Sequence, residues 1–292
     1  MRFRWIREHA VLMFACLVVV YMLVPIVVIA VFSFNDPEGK FNFTWQGFTT
    51  EHWSNAFGIP ELTDALKTSI ELAATSTVIS TILGTMIAMA LVRYQFKGRK
   101  ATNLLIVIPI TSPEVVIGAA LLSLFVYAQV STGFVTLLIA HVMFSISFVV
   151  IVVRSRLIGF DRRLEEAARD LGADARTTFR TVTLPLIAPG LGAAAFLAFA
   201  LSLDDFVISN FNSGTTVTFP LYIFGAAQRG IPVEVNVLAT MLFLVTVIAM
   251  GFTLWQQRKA EKLAAVRPDD DADTGFPAPA PTRGAVADAT SS

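Results

Sequence analysis

Apolar residues gather in six long stretches: Ala10–Phe32, Leu72–Val92, Leu104–Val130, Phe134–Val153, Ile187–Val207 and Val237–Trp255. Each is close to or above the roughly 20 residues that a helix needs to cross a bilayer. The pattern predicts an all-α integral membrane protein with six transmembrane helices. Charge falls in the connections, and unevenly. With the N-terminus in the cytoplasm, 19 of the 22 lysines and arginines lie inside, leaving only Lys40, Lys67 and Arg229 outside. Positive residues concentrate in cytoplasmic loops, so both termini are expected there.

Composition strengthens this picture. Hydrophobic residues make up 55% of the 292 positions and charged ones 15%, whereas a soluble domain carries about 25% charged residues. Arg2, Arg4 and Arg7 before an apolar run look like the start of a signal peptide. However, the run stays uncharged to Asn35 without a small-residue cleavage site, so a retained first span is expected. The expected division is a transmembrane domain over 1–265 and a disordered cytoplasmic tail over 266–292, where Asp269-Asp270-Asp271 and then Pro, Ala, Thr and Ser leave little to bury. The lone Cys16 reads as a small apolar residue. Outside, Ser33–Leu66 carries Trp45, Phe48, Trp53 and Phe57. Two readings stand for it: an aromatic belt with a short surface helix, or a contact surface for an external partner.

The loop 154–185 has its own pattern. Asp161 is placed to cap a helix whose early turns hold Glu165 and Glu166, where the helix dipole favours negative charge. Leu164, Ala167, Ala168 and Leu171 recur at helical spacing and form one narrow apolar stripe. Gly172 is expected to end that helix. A second short helix is expected from the cap Asp174 through Phe179 and Val182, stopping at Leu184-Pro185. Such a pair is too small to hide its own stripe and needs something to pack on. By physics alone that is either another protein or the membrane surface.

Glu166-Ala167-Ala168, three residues, Gly172, nine residues and Val182-Thr183-Leu184-Pro185 resemble the EAA motif of ABC importer permeases, with valine in place of isoleucine. The resemblance implies a type I ABC importer permease fold and a loop that inserts into a cleft of a cytoplasmic ATPase. It implies that Glu166 pairs with basic or amide groups of that ATPase. Ala167 and Ala168 complete the motif, Gly172 turns the chain, Leu171 and Phe179 anchor it, and Leu184 and Pro185 close it.

Acids also occur within the spans. Pro109 and Ser112-Pro113-Glu114 predict a break near Ile110–Ser112, with a serine cap and Glu114 at the new helix start. Asp204-Asp205 ends the fifth span. Each of these acids is either a helix-end carboxylate or part of a substrate path, and adjacent residues point about 100° apart, so at most one of the pair faces a narrow path squarely. His141 reads as a packed, hydrogen-bonded residue.

Ser202-Leu203-Asp204-Asp205-Phe206-Val207-Ile208-Ser209, the run Gly230 to Thr240 including Glu234-Val235-Asn236, and Trp45-Gln46-Gly47-Phe48-Thr49 resemble the second permease subunit of spermidine/putrescine importers. The likeness runs over roughly residues 10–260, with Pro232 one place early and Val237 for alanine. It implies a path for a small cation, with Glu114, Asp204, Asp205 and Glu234 as tentative path residues. It implies cytoplasmic ATPase subunits, a second permease, an extracytoplasmic binding protein, membrane lipid and a multi-pass location in the bacterial inner membrane. The residues offer no phosphate-binding loop, no H-E-x-x-H and no nucleophile–histidine set. No catalytic, metal, cofactor or nucleic-acid role is therefore expected. The rival readings are a permease for another small solute and an ATP-independent carrier or channel.

Overall fold

The structure, a computed structural model, describes residues 2–39, 41–159 and 161–265, so the expected tail over 266–292 lies outside the described residues. The helices are, in order, α1 (Arg2–Phe32), α2 (Glu51–Ser54), α3 (Pro60–Arg93), α4 (Arg99–Thr111), α5 (Glu114–Tyr127) and α6 (Phe134–Ile158). There follow α7 (Arg163–Asp170), α8 (Ala175–Thr178), a π-helical turn (Phe179–Thr183), α9 (Leu184–Asp204), α10 (Val207–Asn212), α11 (Phe219–Arg229) and α12 (Val233–Ala265). By internal packing, Met1–Thr240 forms one unit and Met241–Ser292 another, the described part of the second being the rest of α12.

Among the described residues, four segments are long and apolar enough to cross a membrane: His9–Phe32, Pro60–Arg93, Phe134–Ile158 and Ala175–Asp204. The pair α4 and α5, bent by 113°, makes a fifth as a broken span or re-entrant loop. The sixth expected span falls in α12 (Val233–Ala265).

The core is the trio α3, α6 and α9. On α3 the buried residues Ala73, Ser76, Ser80, Gly84 and Ala88 recur three or four apart, and α9 answers with Ala194, Ala198 and Ser202. Lipid tails give no hydrophobic drive between helices, so small residues that let backbones approach supply the contact. Gly84 is the tightest point, since a Cβ there would lie 2.6 Å from Val149 Cγ1. Leu91, Val150, Val153 and Ile187 seal the end of the trio nearest Arg93.

Four expectations need correction. First, α3 begins at Pro60 rather than Leu72, because proline and Glu61 suit a first helical turn and Leu62, Ala65 and Leu66 are buried. Second, the break falls at Ser112-Pro113, both extended, as the residue before a proline is forced to be. Pro109 stays inside α4, and the serine cap does not form, because Pro113 takes the cap position. Third, Leu184-Pro185 does not stop the loop helix. The π turn carries it into α9, and Pro185 follows that turn directly, where the widened ladder accommodates the missing N–H. Fourth, α9 stops at Asp204, and Val207 opens α10 instead of closing the span.

The outer loop is organised by buried Asn35, whose side chain bonds Asn42 Oδ1 at 2.7 Å, Thr44 O at 2.8 Å and Gln46 N at 2.8 Å. Phe34 stacks between Phe48 and Trp53; Trp53 is half-buried, whereas Trp45, Phe48 and Phe57 stay exposed.

Candidate functional site

The loop builds a short, rigid helix. Asp161 Oδ1 accepts from Arg163 N at 3.0 Å, just before α7. At the far end Gly172 takes φ +88°, with Gly172 N to Arg169 O at 2.8 Å and Ala173 N to Ala168 O at 3.0 Å. This pair of bonds is the Schellman arrangement, which needs a left-handed residue where Gly172 stands. Asp174 then caps α8 by accepting from Thr177 N at 2.7 Å.

The stripe expected on α7 is left uncovered. Leu171 is 90% exposed and Leu164 48%, Ala167 is exposed, and Ala168 and Phe179 are half-buried. The adjacent acids point differently, as their 100° separation requires. Glu166 is exposed, and its carboxylate has no ion-pair or hydrogen-bond partner among the described residues. Glu165 is buried and bonds both Arg93 and Thr183. Sequence reasoning named Glu165 only as a helix-start acid, because its partners are 72 and 18 residues away.

The second acidic pair behaves alike. Asp204 ends α9 and is exposed. Asp205 is buried and starts α10, accepting from Ser209 N at 2.8 Å and Ile208 N at 3.2 Å. His141 Nε2 lies 3.5 Å from Asp205 Oδ2 and 3.1 Å from Ser209 Oγ, while its Nδ1 meets Ser202 Oγ at 2.7 Å. Ser76 Oγ completes the set at 3.0 Å from Ser202 Oγ. One buried polar network thus joins α3, α6, α9 and α10. Buried polar groups are costly unless bonded, and these are bonded.

Three of the four acids expected on a path come together: Glu114, exposed at the start of α5, lies within electrostatic reach of Asp205 and Asp204. Glu234 belongs elsewhere. Its Oε1 is 3.0 Å from His52 Nδ1, and its charge is felt, with those of Glu61 and Arg229, at Tyr222. Burial first, then Glu61, pushes the Tyr222 phenol above its ordinary value of 10.0, while Arg229 pulls it down. Beside them lies a cavity of about 840 Å³ lined by Glu61, Asp64, Thr68, Tyr222 and Arg229 among others. No local pattern marks this group, because His52 and Glu234 are 182 residues apart.

Membrane-length helices around a broken span define an importer-permease fold. A solved bacterial ABC transporter involved in import of the acidic polysaccharide alginate matches with a TM-score of 0.61 over 90% of this chain and 99% of that chain, at 15% identity. Residues 80–262 match the family of binding-protein-dependent transport system inner membrane components, and the chain belongs to that family. The spermidine/putrescine transport system permease protein PotC of Escherichia coli (strain K12) is 38% identical over 229 residues, covering 78% of this chain and 86% of that protein. The putrescine transport system permease protein PotI of the same organism is 36% identical over 251 residues, covering 83% and 88%.

Proposed function

We propose that this chain is a non-catalytic permease subunit of a polyamine importer, docking its ATPase through α7 and lining the path for putrescine or spermidine. The observation that carries the docking role is the unburied edge of α7. Leu164 and Leu171 stand exposed on one side of a helix fixed at both ends, with Glu166 exposed on another side of it, and exposed apolar anchors are what interfaces use. The partners in this reading are cytoplasmic ATPase subunits, a second permease and an extracytoplasmic binding protein, with both termini cytoplasmic. Ala167 and Ala168 keep the docking face low, Gly172 turns it, and Phe179 with Leu184-Pro185 leads it into α9.

The cargo reading rests on the polyamine names of the relatives and on the acids at the broken span. Asp204 and Glu114 are exposed near one another, and ammonium groups bond carboxylates through strong charge-assisted hydrogen bonds. Asp205 serves this path indirectly, as the buried cap behind Asp204, and Glu234 contributes outside it through His52. In this reading ATP-driven closure moves α7 and alternates the access of the path. The test is purification of the assembled transporter with Glu166→Arg or Asp204→Asn. Glu166→Arg should lose the ATPase. Asp204→Asn should keep it and lose putrescine uptake. An intact ATPase complex in the first case, or intact uptake in the second, removes the corresponding half of the reading.

A further inference from the structure

We infer that Glu165, not part of the exposed docking edge, is the positioning residue that transmits movement of α7 to two spans at once. The inference rests on α7 being the docking helix. Glu165 Oε1 is bonded by Arg93 Nη2, on the last residue of α3, and by Thr183 Oγ1, on the last residue of the π turn before α9. A second tie reaches the same end of α3: Arg162 Nη2 donates to Val92 O at 2.9 Å. One short helix is therefore fastened to the ends of two of the three core helices. The fastening carboxylate lies about 100° round the helix from Leu164, off the uncovered stripe.

The attachment point matters. A π turn is a local widening of the helical ladder and is often found at functional sites. Here it joins α8 to the span that ends at Asp204-Asp205. Thr183 closes that turn, so a push on α7 reaches α9 through the π turn and α3 at its last residue. Without the clasp, Arg162 to Val92 O would remain as the tie from the start of α7 to α3, with no side-chain bond from α7 itself to the π turn among the described residues. A buried carboxylate shared between a guanidinium and a hydroxyl is strongly directional, and it adds little stability compared with an apolar filling. Directionality is what transmission needs.

The test uses the complete transporter, purified with its ATPase and reconstituted in liposomes with radiolabelled putrescine. With Glu165→Gln the ATPase should stay bound and hydrolyse ATP, while putrescine moved per ATP falls about tenfold, within the 5–150-fold range of site-to-site coupling. Thr183→Val, which keeps the side-chain shape, should lower the same ratio by a smaller factor. Exchanging the charges, Arg93→Glu with Glu165→Arg, should restore part of it. An unchanged ratio in Glu165→Gln and Thr183→Val overturns the inference. So does a parallel loss of assembly, hydrolysis and uptake, which marks a merely structural contact. Glu166→Arg separates the two claims: retention of the ATPase there overturns the docking reading, whereas the clasp is judged by the ratio alone.

Discussion

Two pairs of neighbouring carboxylates flank the long Ala175–Asp204 segment, and they divide in the same way. Before it, Glu165 is buried on Arg93 and Thr183 while Glu166 faces outward. At its end, Asp205 is buried under the first turn of α10 while Asp204 faces outward. The difference within each pair teaches more than the likeness between them. Glu165 and Glu166 diverge by about 100° because they are adjacent on one helix. Asp204 and Asp205 part because α9 ends at Asp204 and the chain is extended at Asp205. In each case one acid is an anchor and its neighbour is left outward. The pairs differ in their partners. Glu165 has a cation and a hydroxyl, whereas Asp205 has two backbone N–H groups and a histidine nearby.

Anchors and presenters should separate cleanly in denaturation of the purified protein in detergent. The largest loss is expected for Glu165→Ala, about 3–5 kcal/mol, because Arg93 is left half-buried without its partner. Next comes Asp205→Ala, at about 2 kcal/mol, since two helix-start N–H groups lose their acceptor. His141→Ala follows at about 1–3 kcal/mol, from the serine hydroxyls left without it. Glu166→Ala and Asp204→Ala should stay within about 0.5 kcal/mol, as exposed side chains that anchor no other element do. Equal losses for Glu165→Ala and Glu166→Ala would erase the distinction.

The smallest effect is a pH dependence at α8. The Thr177 hydroxyl and backbone N–H hold the Asp174 carboxyl below its ordinary value of 3.8. A depressed carboxyl stabilises the fold above its unfolded value, and that contribution disappears as pH falls through the folded one. Amide protection at Thr177 should therefore drop only below the usual carboxylate range, and Asp174→Asn should flatten the profile. A profile that breaks near neutrality would implicate another group.

Much of this was legible in the sequence because it is local. Apolar run lengths located the membrane helices, Gly172 and Asp174 marked a turn and a cap, and Pro113 marked the broken span. The misjudged points depended on what came next in space. Leu184-Pro185 reads as a stop until a π turn absorbs the irregularity, and Pro60 looks like loop until Leu62 and Leu66 find a core. The division of Glu165 from Glu166 was invisible because helical phase says that they diverge, not which one faces Arg93. The His52–Glu234 pair and the His141 network join residues far apart in the chain, so spacing carried no trace of them.

The central claim is that the edge of α7 meets an ATPase. A photo-crosslinking residue at Leu171, 90% exposed in this chain, tests it most directly in intact cells expressing the whole transporter. A crosslink is expected to a single polypeptide that mass spectrometry identifies by its nucleotide-binding sequence, lost when Glu166→Arg is added. Crosslinks confined to lipid or to this chain itself would contradict it.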